Sequence, residues 1–186
     1  MVTASSASAR RSRPRIRPLR ARRTARPIRK GRIDRPVEFG YKAQVIDNDD
    51  GIILDYGVQA GNPPDAPRLA PRDPADRWRA GRMPRSVTAD RGYGEPATDR
   101  DLHALGICTV AIPRRARPST TRRAVEHARG FRALVKWRTG CEGRISYLKR
   151  GYGWDRTRLD GLQGASIWCG HGVFSHNPVK ISALAS

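Results

Sequence analysis

The clearest periodicity in the chain runs from residue 36 to 60. Val37, Phe39, Tyr41, Ala43 and Val45 alternate with Glu38, Gly40, Lys42 and Gln44, the two-residue period of a half-buried strand. Asp47-Asn48-Asp49-Asp50-Gly51 reads as a turn, with Asp-Gly as its strongest element. Ile52, Ile53, Leu54, Tyr56 and Val58 form the return strand, so a hairpin is predicted. The acids at 47, 49 and 50 also suggest a calcium loop. That loop needs a Glu about twelve positions along, where this chain has Val58, so the turn is preferred.

The pattern then changes. Pro67, Pro71 and Pro74 leave residues 61–84 as a weak helix or irregular linker. Residues 86–90, SVTAD, read as a short strand ending in Asp90, followed at once by Arg91-Gly92-Tyr93-Gly94. Glu95 to Leu105 is predicted helical and closed by Gly106. Ile107 to Ile112 is an apolar strand stopped by Pro113, and Arg114, Arg115 and Arg117 form a basic loop. Thr120 or Thr121 can cap a helix running through Val125, Phe131, Leu134 and Val135, which Gly140 is expected to break or bend. After a polar loop over 151–160, a last helix places Leu162, Ala165, Trp168 and Cys169 inward, with a kink expected at Pro178. Strands alternating with helices indicate an α/β class, a mixed sheet with flanking helices.

Composition changes the picture at the N-terminus. The 186 residues carry a formal net charge of +20. Residues 1–35 hold 13 Lys+Arg against a single acid, Asp34, and Pro14, Pro18 and Pro27 forbid a continuous helix there. Residues 1–35 are therefore predicted to be a disordered Arg-rich arm, and 36–186 the folded part. So basic a chain favours an anionic partner, nucleic acid or an acidic membrane surface. No apolar run is long enough to span a bilayer, and no apolar segment near Met1 suggests a secretory signal, so a cytoplasmic, nucleoid-associated location is expected. Cys108, Cys141 and Cys169 lie far apart, without zinc-ligand spacing, and read as free thiols.

Candidate chemistry concentrates in WRTGCEGRISYLKRGYGW, Trp137 to Trp154. On a helix, Arg138 and Glu142 lie about 40° apart around the axis, and Glu142 and Lys149 about 20° apart. A carboxylate framed by Arg138, Arg144, Lys149 and Arg150 suits a site that holds a metal and receives a phosphodiester. The same spacing also describes a surface ion pair worth a few tenths of a kcal/mol. Asp90, at the carboxyl end of a strand with a glycine-bearing turn after it, points to the crevice where α/β sheets bind ligands. Asp90 and Glu142 together suit Mg²⁺, which takes carboxylate oxygens, water and substrate phosphates. Tyr93 and Trp154 are candidates for stacking on an unpaired base, with packing as the alternative.

From about Pro36 to Ala185 the chain resembles the C-terminal part of bacterial insertion-sequence transposases of the DDE type. The resemblance rests on VEFGYKAQV, GNPPDAP, VTADRGYG and WRTGCEGRISYLKRGYGWDRTRLDG. Arg138, Glu142 and Lys149 match that family's signature spacing around its glutamate, and Asp90 matches its second aspartate. Val135 stands where the signature has Tyr. The resemblance implies a ribonuclease-H-like fold and DNA transposition by metal-dependent cleavage and strand transfer. It also implies Asp90 and Glu142 as catalytic metal ligands for Mg²⁺ or Mn²⁺. Arg91, Arg138, Arg144, Lys149 and Arg150 become candidate DNA contacts. The expected partners are DNA at transposon ends and a second copy of the chain. The family's first aspartate lies on a strand preceding VEFGYKAQV, yet the only acid upstream of Val37 is Asp34. The expectation is therefore a partial domain lacking that first strand, a truncated and catalytically impaired copy. A basic nucleic-acid-binding protein that keeps the scaffold without catalysis is the alternative.

Overall fold

A computed structural model describes residues 2–10, 25–29, 37–70 and 83–186. Six strands form one sheet: β1 (Val2–Arg10), β2 (Arg26–Arg29), β3 (Val37–Asn48), β4 (Ile53–Ala60), β5 (Ser86–Ala89) and β6 (Thr109–Ala111). Their order is β2-β3-β1-β5-β6, with β4 also paired to β3. The helices are α1 (Pro96–Ala104), α2 (Thr120–His127), α3 (Arg129–Gly151) and α4 (Gly161–Ala185). The chain divides into two compact units. The first holds 1–5, 45–55 and 64–144, and the second holds 6–44, 56–63 and 145–186.

In the first unit, β1 lies parallel to β5, with Val2, Thr3 and Ala4 opposite Val87, Thr88 and Ala89, and β5 lies parallel to β6. Alternation sorts these residues onto two faces. Val87, Ala89 and Val110 join Leu69, Tyr93, Leu102, Ile107 and Ile112 in an apolar core, with Ile46 and Leu54 packed against it. Thr3 and Thr88 face the other way, and both are fully buried.

This arrangement differs from the disordered arm predicted for 1–35. Residues 2–10 and 26–29 are strands; 11–24 and 30–36 lie outside the described residues. The physical reason is that β1 and β2 need little apolar surface of their own. Their backbone groups pair with neighbouring strands, and small residues such as Thr3 fit between sheet and helix. A first strand therefore lies beside β5, although its sequence, VTASSASAR, contains no acid.

The hairpin is found where alternation predicted it. Gly51 adopts φ 76° in its turn, a region that favours glycine. Residues 66–68 form a single 3-10 turn in the proline-rich stretch. The helix boundary near 128 differs from the sequence reading. Ser119, not Thr120 or Thr121, caps α2, its hydroxyl accepting from the Arg122 amide at 3.2 Å. The break falls at Ala128, which is extended at φ −60°, ψ 142°, while α3 runs unbroken through Gly140. A mid-helix glycine costs about 1 kcal/mol, which the burial of Cys141, Ile145 and Leu148 just beyond it outweighs.

In the second unit, β2 pairs antiparallel with β3, and Ala25, Tyr41 and Ala165 form a small core with Val58 packed against it. α4 buries Gly164, Ala165, Cys169, Gly172 and His176. Leu162, predicted to face inward, is exposed, because the small residues, not the leucine, permit close approach.

Candidate active site

β5 carries the first candidate acid. Asp90 follows its last residue with extended backbone, φ −65° and ψ 157°, so it continues the strand's alternation on the Thr88 face. Its Oδ1 accepts the Arg91 amide at 2.6 Å, starting a 3-10 turn over Arg91–Tyr93. Asp90 and Arg91 are both exposed. The turn is anchored by Tyr93, 1% exposed in the apolar core, and by Gly94. A Cβ at Gly94 would collide with the Pro113 carbonyl, while the Gly94 carbonyl accepts the Arg115 amide at 3.1 Å. The glycine motif thus locks the end of β5 to the segment leaving β6.

α3 covers the opposite face of this sheet from the apolar core. Cys141, fully buried, donates its thiol to Asp47 Oδ1 at 3.4 Å. The Thr3 hydroxyl also donates to Asp47 Oδ1. Arg144 Nε forms an ion pair with Asp47 Oδ2, and its guanidinium lies over Trp137, 5.7 Å from the ring centre. Asp47 is 1% exposed. Burial lowers the Arg144 pKa and raises that of the Cys141 thiol.

Glu142 extends from the flank of α3, with its side chain 65% exposed. Arg138 Nη1 approaches Glu142 Oε1 at 3.6 Å, the i,i+4 pair read from the sequence. Asp90 therefore lies on the α3 side of the sheet, and Glu142 stands on α3 itself. Of the candidate cations, Arg138 and Arg144 are half-buried and engaged within the unit. Lys149 and Arg150 lie in the last turn of α3, within the second unit, where Arg150 is exposed.

The stretch from residue 18 to 177 matches the family model described as the transposase DDE domain. The chain belongs to the transposase DDE-domain family. No curated protein and no solved structure matches it. In this transposase-family chain, no group of three or more His, Cys, Asp and Glu among the described residues is arranged to hold a metal ion. Among the described residues, no helix is long and apolar enough to cross a membrane.

Two readings of the transposase sequence need correction. Tyr93 and Trp154 are each 1% exposed, so they pack and do not present a face for base stacking. The Trp154 indole donates to the Cys169 carbonyl at 3.2 Å, which satisfies its one polar atom inside the second unit. Conversely, the turn preferred for residues 47–51 assigns Asp47 no place in the interior. The missed signal is its phase: it continues the odd-numbered apolar series ending at Val45, so the same alternation that predicts the strand predicts Asp47 inside.

Proposed function

We propose that this chain acts in DNA transposition, with Asp90 and Glu142 as two carboxylates of a divalent-metal site and catalysis impaired by the absence of a third. The observation that supports the reading is that Asp90 ends β5 on the side where α3 packs, while Glu142 stands exposed on that helix. The ribonuclease-H-like assignment is supported by the strand order. With the short β2 set aside, the sheet reads β4-β3-β1-β5-β6, and β1, β5 and β6 are parallel. In that arrangement β1 stands beside the Asp90 strand, where a further carboxylate would be useful, and it carries none.

The two acids fit a magnesium or manganese ion in kind, because hard cations take carboxylate oxygens and complete their shell with water and phosphate. Asp90 uses one oxygen for the Arg91 amide and keeps lone pairs on the other. When bound, the ion would supply Lewis-acid activation of a phosphodiester. The chain's own contribution is to present one carboxylate at the end of β5 and one on the helix packed over that side, and to offer cations to the phosphates. Exposed Arg91 serves that role at Asp90, and Arg138 at Glu142. Lys149 and Arg150, in the second unit, are candidate phosphate contacts in their own right. Arg144 is already engaged by Asp47 and contributes less. The missing acid on β1 also favours a second reading, a DNA-binding protein that keeps the scaffold without catalysis.

Manganese binding by electron paramagnetic resonance, combined with a labelled-strand cleavage assay, tests the proposal. The expected result is manganese binding that Asp90→Ala and Glu142→Ala each weaken at least tenfold, with no cleavage by the parent chain. Binding unaffected by either substitution would remove the metal site. Metal-dependent cleavage that disappears in Asp90→Ala would remove the impairment.

A further inference from the structure

We propose that Asp47 is a positioning residue that fixes the roll of α3 about its axis and so aims Glu142. This rests on the reading of Glu142 as a metal ligand. Three groups from two elements converge on the Asp47 carboxylate: the Thr3 hydroxyl from β1 and the Cys141 thiol from α3 donate to Oδ1, and the Arg144 guanidinium from α3 pairs by charge with Oδ2. The two helix groups sit on either side of Glu142 in sequence. Cys141 and Arg144 lie about 60° apart around the helix, which gives the clamp a defined direction. Glu142 lies about 130° round from the midline of that pair. With Asp47 beneath the helix, Glu142 is turned past the flank toward solvent, which accounts for its exposure.

The energetics point the same way. Asp47 occupies a phase of β3 that Tyr41, Ala43 and Val45 fill with buried side chains, so an apolar residue would suit the position sterically. A buried ion pair generally adds no stability over a well-packed apolar pair of similar volume. What it adds is direction. An apolar contact tolerates a roll of the helix, whereas Asp47 requires both Cys141 and Arg144 to stay in reach. The Arg144 guanidinium is further confined by Trp137, one stripe along the same helix. At a radius of about 5 Å, a 20° roll would move the tip of a side chain by about 2 Å. Metal sites do not absorb such a displacement, and loss of a supporting contact commonly costs 10- to 100-fold in affinity.

The test replaces the pair as a unit, with Asp47→Leu/Arg144→Met, so that no buried charge is left alone. Thermal melting by circular dichroism checks that the fold survives. Nitroxides on Cys108, which is exposed, and on Glu142→Cys then report the roll of α3 by pulsed electron paramagnetic resonance. Both positions lie in the first unit. The expected result is a melting temperature at or above that of the parent, with a distance distribution that broadens or shifts. In the same double variant with Glu142 intact, manganese affinity should fall at least tenfold. An unchanged distribution at retained stability overturns the proposal. A parent that binds no manganese overturns the metal reading of Glu142, while the distance distribution still decides whether Asp47 sets the roll. Should the double variant fail to melt cooperatively, Thr3→Val in the parent background removes one donor, and the same measurement applies with the same outcomes.

Discussion

Asp99, on α1, is a charged tie whose loss should measurably destabilise the first unit. It is 8% exposed and its Oδ2 receives two guanidiniums, Arg114 at 2.9 Å and Arg122 at 3.0 Å. Arg114 lies in the segment leaving β6, and Arg122 lies on α2, so one carboxylate ties three elements together. Asp99→Ala leaves both cations, each 17% exposed, without that partner. Breaking a fully buried pair costs about 3–5 kcal/mol. Two features reduce the figure here. Arg122 keeps Glu126 at 3.0 Å, the Ile112 carbonyl at 2.7 Å and the face of Phe131, and both guanidiniums retain some contact with water. A loss of about 2–3 kcal/mol follows, and at about 2–4 °C per kcal/mol the melting temperature should fall by about 4–12 °C. Circular dichroism melts of the parent, Asp99→Ala, Arg114→Ala and the double variant measure the loss and the Asp99–Arg114 coupling. Because the pairs are largely screened from solvent ions, the loss should persist in about 0.5 M salt, where the Debye length is only a few ångströms. A drop under 1 °C, or one that vanishes with salt, would show that these are surface pairs and refute the reasoning.

Gly94→Ala should destabilise by about 1–3 kcal/mol, since its Cβ meets backbone at Pro113, which cannot rotate away; an unchanged melt would contradict the close approach. Maleimide should modify Cys108 first, because Cys141 and Cys169 are buried and burial pushes the Cys169 thiol up to about 12, away from the reactive thiolate; mass spectrometry of the labelled peptides checks the order. The same shift has a stability consequence: above pH 9 the unfolded thiol releases its proton while the folded one retains it, so stability should fall as pH rises from about 9 to about 12. DNA affinity should fall linearly with the logarithm of salt concentration, and Arg150→Ala should reduce that slope by about 1; a slope near zero would exclude electrostatic DNA binding.

Most elements of the fold were legible because their signals are local. Alternation set β3 and β4, Asp-Gly set their turn, and Gly106, at φ 88°, closed α1 as expected. What remained hidden depends on neighbours. Nothing in VTASSASAR indicates a strand, since Ser and Ala have no strand preference; β1 exists because β5 offers it backbone partners. Gly140 reads as a break by local propensity, yet α3 continues through it, with Cys141 and Leu148 buried just beyond. Ser119 caps α2 although the sequence reading names only Thr120 and Thr121, because backbone geometry chooses among adjacent hydroxyls. Asp90 and Glu142 were legible as acids at a strand end and on a helix. Asp47 was not, because three acids around a Gly turn dominate the local pattern and obscure the phase of one of them.

Asp47 and Asp90 lie on the α3 side of the sheet and Glu142 stands exposed on α3 itself, and their partners sort them into different work. Asp47 takes two donors on Oδ1, has the Arg144 guanidinium beside Oδ2 and is sealed from water, so its geometry is fixed. Asp90 takes one backbone amide on one oxygen, and Glu142 faces a single guanidinium at 3.6 Å, longer than a normal hydrogen bond. A metal ligand must release its partners without leaving anything unsatisfied in the interior. Glu142 can leave Arg138 for water at a cost typical of an exposed pair, under about 1 kcal/mol. Asp47 would leave Arg144 half-buried and unpaired, at several kcal/mol. The same carboxylate chemistry thus divides by burial: the interior acid sets direction, and the exposed acids remain available to an incoming cation. On this division, replacing Asp47 with Asn should impair folding before it alters metal preference, whereas replacing Glu142 with Gln should leave the melt within about 0.5 kcal/mol of the parent and act on metal binding alone.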